Sequence, residues 1–296
     1  MDFMTAVFSF NRGHLLANCM RSIEQFSPPT SVVVFDDRSD DQETLDELER
    51  IVGAGHEVIV NEQSSMAEYG NHKLNLDRAV QLARTRGFTL LHLVEDDTQF
   101  VWKNSTLSVE VAAIFDGLPL AAQVSPLFWK YASKATGVPL EAHSAYRLRQ
   151  APGCVIGFVD VNRLADCGFR HQPNEQACVR LGESLGLELV AMANPVIARV
   201  PWPMHTRHRV SRGRRVASTR PLLIKPLSKA EVHRLTSRAL ATPPYAEHYC
   251  LPWGWRCWQP YGWTASYGEW AKTLAIVAHR RRSIRGLIPR RVGVMR

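Results

Sequence analysis

From its amino terminus the chain alternates short apolar runs with longer stretches in which apolar residues return every three or four positions. Residues 3–10, FMTAVFSF, have the length and composition of a buried strand. Residues 14–26, HLLANCMRSIEQF, then place Leu15, Leu16, Cys19, Met20 and Ile23 on one helical face. The alternation repeats through SVVVFDD (31–37), QETLDELERIV (42–52), EVIV (57–60), NHKLNLDRAVQLARTRG (71–87, a helix stopped by Gly87) and FTLLHLVEDD (88–97). Strands alternating with helices predict βαβ units and an α/β fold with a mainly parallel sheet. Two of those strands end in acids, at the edge of the sheet where open α/β folds bind ligands.

Beyond residue 97 the pattern is mixed. AAQVSPLFW (121–129) and CVIGFVDV (154–161) read as strands, NRLADCG (162–168) as a short helix, PNEQACVRLGESLG (173–186) as a helix stopped by Gly186, and LELVAMANPVIARV (187–200) as a strand region. Residues 201–220, PWPMHTRHRVSRGRRVASTR, are basic and aperiodic and read as a mobile loop, while SKAEVHRLTSRAL (228–240) suits another helix. An aromatic-rich stretch with Trp253, Trp255, Trp258, Trp263 and Trp270 leads into a basic end, HRRRSIRGLIPRRVGVMR. No internal repeat is visible.

Composition narrows the class. With 296 residues, 45% of them hydrophobic and 22% charged, the chain can build a sizeable core, which excludes a disulfide-stapled miniprotein and a disordered polyelectrolyte. No apolar run reaches membrane-spanning length and the opening residues lack signal-peptide character, so the expectation is a cytoplasmic protein without an integral membrane segment. The six cysteines form no C-x-x-C pair, which argues against a zinc ribbon or a dithiol site. A formal charge of +8, from 36 Lys and Arg against 28 Asp and Glu, points to an anionic partner: a nucleotide-linked substrate, a nucleic acid or an acidic membrane surface.

The acidic clusters carry the candidate chemistry. Asp36 and Asp37 could accept hydrogen bonds from a ribose or a base, or could cap the following helix. Glu95, Asp96 and Asp97 end the most hydrophobic strand, where adjacent acids are costly to desolvate unless a cation compensates them. Hard oxygen ligands favour Mg²⁺ or Mn²⁺, and a solvated acidic turn is the alternative.

In order and content these motifs resemble family-2-like glycosyltransferases of the GT-A fold. TAVFSFNRGHLLANCMRSI is similar to their opening strand and helix, VVVFDDRSDD to their nucleotide loop with Arg38 in place of the usual glycine, GNHKLNLDRAVQLARTRG to their Asn-containing helix, and LVEDDTQF to the strand ending in a D-x-D motif. Laid on that motif, Glu95 takes the first acidic position and Asp97 the second, the one that normally touches a metal. The resemblance implies a single Rossmann-like domain with a mixed, mainly parallel sheet over residues 1–205: a nucleotide-binding half (1–100) and an acceptor half (101–205). A mobile basic loop (206–227) and a C-terminal helical and aromatic accessory segment (228–296) follow.

It further implies a nucleoside diphosphate sugar donor, a UDP-sugar foremost, a hydroxyl acceptor, Mn²⁺ or Mg²⁺, and inversion at the anomeric carbon. Donor contacts would fall on Asn11, Arg12, Asp36, Asp37, Asn75, Glu95 and Asp96, and metal ligation on Asp97 and His205, with His208 as the alternative histidine. QPNEQACVRLGESLGLELV is similar to the family's base-bearing region, with Asn174 and Glu175 where Glu-Asp usually stands. Glu175 is therefore the candidate base, and a first-turn carboxylate serving only the helix dipole is its bland reading. Arg207, Arg209, Arg212, Arg214 and Arg215 could close over a diphosphate or form a solvated loop. The tryptophans suit packing against the main domain or an acceptor platform. Arg280, Arg281, Arg282, Arg290 and Arg291 suit a phosphate-bearing partner or solubility. The competing functions are a glycosyltransferase acting on modified DNA, a nucleic-acid-binding protein, a membrane-surface glycosyltransferase with a lipid-linked acceptor, and a nucleotidyltransferase.

Overall fold

The computed structural model describes residues 2–63, 71–129, 137–200 and 224–250. Strands β1 (Phe3–Ser9), β2 (Ser31–Asp36), β3 (Glu57–Val60) and β4 (Leu90–Glu95) alternate with helices α1 (Gly13–Phe26), α2 (Gln42–Gly53) and α3 (His72–Thr85). The later elements are β5 (Thr98–Phe100), α4 (Leu107–Gly117), β6 (Ala121–Ser125), β7 (Gly137–Leu140), β8 (Ala145–Leu148), β9 (Gly157–Asp160), α5 (Val161–Asp166), α6 (Glu175–Ser184), β10 (Glu188–Met192) and β11 (Ile197–Arg199). Helices over Lys229–Thr236 and Ala246–Tyr249 follow.

The main sheet runs β3-β2-β1-β4-β9-β6-β10-β8-β7. Its first four strands are mutually parallel, β9 is antiparallel to both β4 and β6, and β8 is antiparallel to both β10 and β7. This is the expected mixed, mainly parallel α/β sheet. The apolar runs of the central strands are continuous because both faces are covered. Along β1, Phe3 and Val7 enter one core with Leu16, Met20 and Ile23 of α1 and Leu48 and Ile51 of α2, while Met4, Ala6 and Phe8 enter a second core with Leu76, Ala79 and Ala83 of α3. Strands β2 and β4 divide in the same period-two way.

The region after residue 97 is richer than its pattern suggests. Strand β5 is only three residues long and pairs with β11 in a separate two-stranded sheet, so the single strand region expected over 187–200 is two strands in two sheets. Helix α4, LSVEVAAIFDG, is apolar on most of its circumference and so shows little helical periodicity. Its Leu107, Val111, Ile114 and Phe115 complete the core on the α1 side. Edge strand β7 contains Pro139, which sheets accept at an edge. Ile224, Leu235, Tyr249 and Cys250 also enter the α1-side core.

One core residue is titratable. His92 in β4 is fully buried, stacked on Phe158 with ring centroids 4.2 Å apart and met edge-on by Phe3 and Phe100. Burial pushes its imidazole down to about 3, so the ring is neutral and acts as an aromatic plate. In the unfolded chain it titrates near 6.5. Above that pH the ring is neutral in both states, and as pH falls toward 3 the unfolded chain alone takes the proton, which erodes stability by at most a few kcal/mol. His92→Phe is expected to flatten the dependence of urea-unfolding stability on pH below 6.5. Parallel pH profiles for the two proteins would contradict it.

Candidate functional site

Chain order places the site. The chain steps outward from β1 through β2 to β3, then returns to lay β4 on the other side of β1, so the loops after β1 and β4 diverge at the carboxyl edge of the sheet. Arg12, at the start of α1, crosses that divide and donates to Asp96 Oδ1 at 2.8 Å. Its neighbour Asn11, with φ of 48°, braces the next loop: the side chain donates to Asp40 Oδ1 at 2.6 Å and accepts the Asp40 N–H at 2.8 Å. Asn is among the residues that tolerate this left-handed backbone.

The loop after β2 is organised around its own acids. Asp36 accepts the Ser39 N–H at 2.7 Å and the Ser39 hydroxyl at 2.6 Å, and burial raises its carboxyl above the usual range. Asp37 accepts from Asn61 Nδ2 at 3.1 Å and from the Asn71 backbone and side chain at 3.1 and 2.6 Å, which ties β2 to the start of α3. Asp41 caps α2 by accepting the Thr44 N–H. Arg38 stands where the resembled family has glycine, and its φ of 57° is the left-handed conformation that glycine takes without strain.

After β4 the chain turns through Asp96 and Asp97 into β5. Antiparallel pairing of β5 with β11 sets Thr98 opposite Arg199. Arg199 Nη1 donates to Glu95 Oε2 at 2.9 Å and lies 3.7 Å from Asp97 Oδ1. Burial opposes ionisation of Glu95, yet Arg199, His72 and Arg12 hold its carboxyl below the usual range. Asp96 goes the other way: burial, with Asp97 and Glu95 adding to it, pushes it up to about 7 against the pull of Arg12. Two arginines thus stand beside the three acids.

That geometry also bears on a metal. Glu95 and Asp97 both approach the Arg199 guanidinium, so two hard oxygen donors of the kind a divalent cation takes face one positive centre that is an arginine. Among the described residues no group of three or more His, Cys, Asp and Glu side chains could hold a metal ion. His205 and His208, with the basic loop, the tryptophans and the basic end, lie outside the described residues.

A crevice of about 440 Å³ opens beside the acidic turn. It is lined by the start of α3 (His72, Lys73, Leu76), Val155, residues 172–176 at the start of α6, and Glu95. Glu175 is exposed to this space at the first position of α6, whose N-cap Asn174 accepts the Ala177 N–H. Glu95 and Glu175, 80 residues apart in the chain, therefore share one crevice. His72 packs edge-on against Phe8 at 5.2 Å, and burial lowers its imidazole below the usual range. Asn75 is 2% exposed, inside α3 beside Leu76.

Arg199 and His72 escaped the sequence reading. Arg199 is the one charge in the apolar run AMANPVIARV, a signal that such a residue must meet a partner. His72 lay within a helix whose polar positions offer no local reason to single it out.

No family model matches the chain, and no curated protein matches it. Among solved structures it is similar to Staphylococcus aureus TarS 1-349 in complex with UDP-GlcNAc, at 16% identity and TM-score 0.46 over 67% of this chain and 58% of that one. It is similar to the mannosyltransferase PcManGT from Pyrobaculum calidifontis in complex with GDP-Man and Mn2+, at 14% identity and TM-score 0.47 over 71% of this chain and 60% of that one. A third is mannose-1-phosphate geranyltransferase from Thermus thermophilus, at 13% identity and TM-score 0.39 over 64% of this chain and 74% of that one. The match thus spans less than two thirds of the first two structures.

The arginine pairing has a measurable consequence. The Arg199 and Glu95 side chains are 24% and 28% exposed, so Arg199→Gln is expected to cost about 1–3 kcal/mol, less than breaking a fully buried pair. Adding Glu95→Gln should recover part of that loss in a urea double-mutant cycle. Strictly additive losses would mean that the two side chains do not stabilise each other.

Proposed function

We propose that the protein is a glycosyltransferase that moves a sugar from a nucleoside diphosphate donor, a UDP-sugar foremost, to a hydroxyl acceptor, with inversion. The observation that carries the proposal is the single crevice shared by Glu95, at the end of β4, and Glu175, at the start of α6. One carboxylate belongs to the compensated acidic turn and the other is exposed at a helix amino terminus, which stabilises it as an anion. That separation of environments suits two different tasks in one reaction.

In this reading the nucleoside lies toward the loop after β2. Asp36 and Asp37, fixed by Ser39, Asn61 and Asn71, line that loop as carboxylates of the kind that accept from ribose or base, and Asn11 holds the loop in place rather than meeting the donor itself. The diphosphate lies beside the acidic turn, where Arg12 and Arg199 provide positive charge. Glu175 takes the proton of the acceptor hydroxyl as its oxygen attacks the anomeric carbon on the face opposite the departing diphosphate. Mn²⁺ or Mg²⁺, held by Asp97 and Glu95 together with His205, would add charge stabilisation at the leaving group.

A panel of UDP-, GDP- and dTDP-sugars tests the proposal through donor binding and nucleoside diphosphate release. Glu175→Gln is expected to lower kcat by about 10²–10⁴-fold with donor affinity retained. Undiminished turnover by the variant would remove Glu175 as the base. Release of pyrophosphate instead would point to nucleotidyl transfer, and absence of donor binding by the wild type would overturn the reading.

A further inference from the structure

The crevice walls come from three separate parts of the chain: the start of α3, the 151–156 loop before β9, and the 172–176 lead into α6. One side chain reaches the support of all three. His171 is 2% exposed, its Nδ1 lies 2.8 Å from Asp77 Oδ1 on α3, its Nε2 lies 2.9 Å from the Cys154 carbonyl oxygen, and its own backbone runs directly into Gln172. Asp77 is one turn beyond Lys73 on the helix that supplies the crevice wall. Cys154 precedes Val155 and has φ of 50°, a left-handed backbone held from the other side by Gln123, which accepts the Cys154 N–H at 2.9 Å and donates to the Ile156 carbonyl. The loop is therefore gripped between Gln123 and His171.

The chemistry of the two contacts constrains the ring. A carbonyl oxygen only accepts. Burial would raise the Asp77 carboxyl, but hydrogen bonds from His171 and Lys73 hold it down at about 2, so it too only accepts. A neutral imidazole has one N–H and would set its bare nitrogen against one of these oxygens. We propose that His171 is the positioning residue of the crevice, clamping α3, the 151–156 loop and the lead into α6 by donating from both ring nitrogens as an imidazolium. This role rests on the reading of the crevice as the transfer site.

The charged and titratable groups on the elements packed against the ring are His72, Lys73, Asp77, Arg78 and Arg84 from α3, Glu175, Cys178, Arg180 and Glu183 from α6, the neighbouring Arg170, and Cys154, whose thiol burial keeps protonated. Of these only Asp77 accepts from the ring.

Nitrogen NMR of the His171 ring tests the clamp without any donor. At neutral pH both nitrogens are expected to be protonated in the wild type. In Asp77→Asn only one should be, because the new amide can donate to Nδ1 and satisfy a neutral ring. A bare nitrogen in the wild type, or two protonated nitrogens in Asp77→Asn, overturns the proposal. For positioning, His171→Gln should lower kcat by about 10–100-fold with donor affinity near the wild-type value. Unchanged kcat in His171→Gln, or equal losses of rate and donor affinity, would contradict positioning. If no sugar nucleotide is used at all, the functional reading fails, while the nitrogen measurement still decides the clamp.

Discussion

Three consecutive acids at the end of a buried strand need positive charge beside them, and two guanidiniums come to them. Arg12 reaches Asp96 from 84 positions upstream, and Arg199 reaches Glu95 from 104 positions downstream. Leaving such carboxylates buried and unpaired would cost several kcal/mol each. The compensation therefore joins the first loop of the fold, the end of β4 and the last strand of the small sheet into one electrostatic unit. The β5–β11 pairing exists at the place where it can deliver Arg199, and the Arg12 contact closes the divide between β1 and β4.

Around that unit the sheet does ordinary work. Period-two burial of β1, β2 and β4 into two cores packs helices against both faces of the sheet. Helix α6 then brings Glu175 to the crevice, with His171 tying its approach to α3. The site is thus assembled from loops that rigid elements aim, which is how α/β folds usually separate stability from chemistry.

Much of this was legible in the sequence, and the parts that were not share a physical reason. The strands and helices of the first hundred residues declare themselves because a doubly covered parallel sheet needs unbroken apolar runs and its helices need one apolar stripe. Glu95 could be singled out because adjacent acids end an apolar strand, and Glu175 because its segment resembles the base-bearing region of the glycosyltransferase family. Helix α4 was silent because it is apolar nearly all round, and β5, β7 and β8 because three- and four-residue strands are defined by partners far away in the chain. The same is true of Arg199 and His171. Neither has a local pattern, and their roles arise from contacts made by sheet pairing and by packing of α3. Arg12 and Arg199 stand beside the acidic turn for which the sequence led us to expect a divalent cation.

The central claim is that the crevice between Glu95 and Glu175 is where the donor sugar is presented. The most direct measurement is a crystal structure with a bound nucleoside diphosphate sugar. The account predicts the sugar between these two carboxylates, with the diphosphate on the side of Arg12 and Arg199. A donor seated elsewhere, such as the groove of about 700 Å³ between α3 and α5 lined by Arg84, Phe169 and Arg170, with the Glu95 to Glu175 crevice empty, would contradict it.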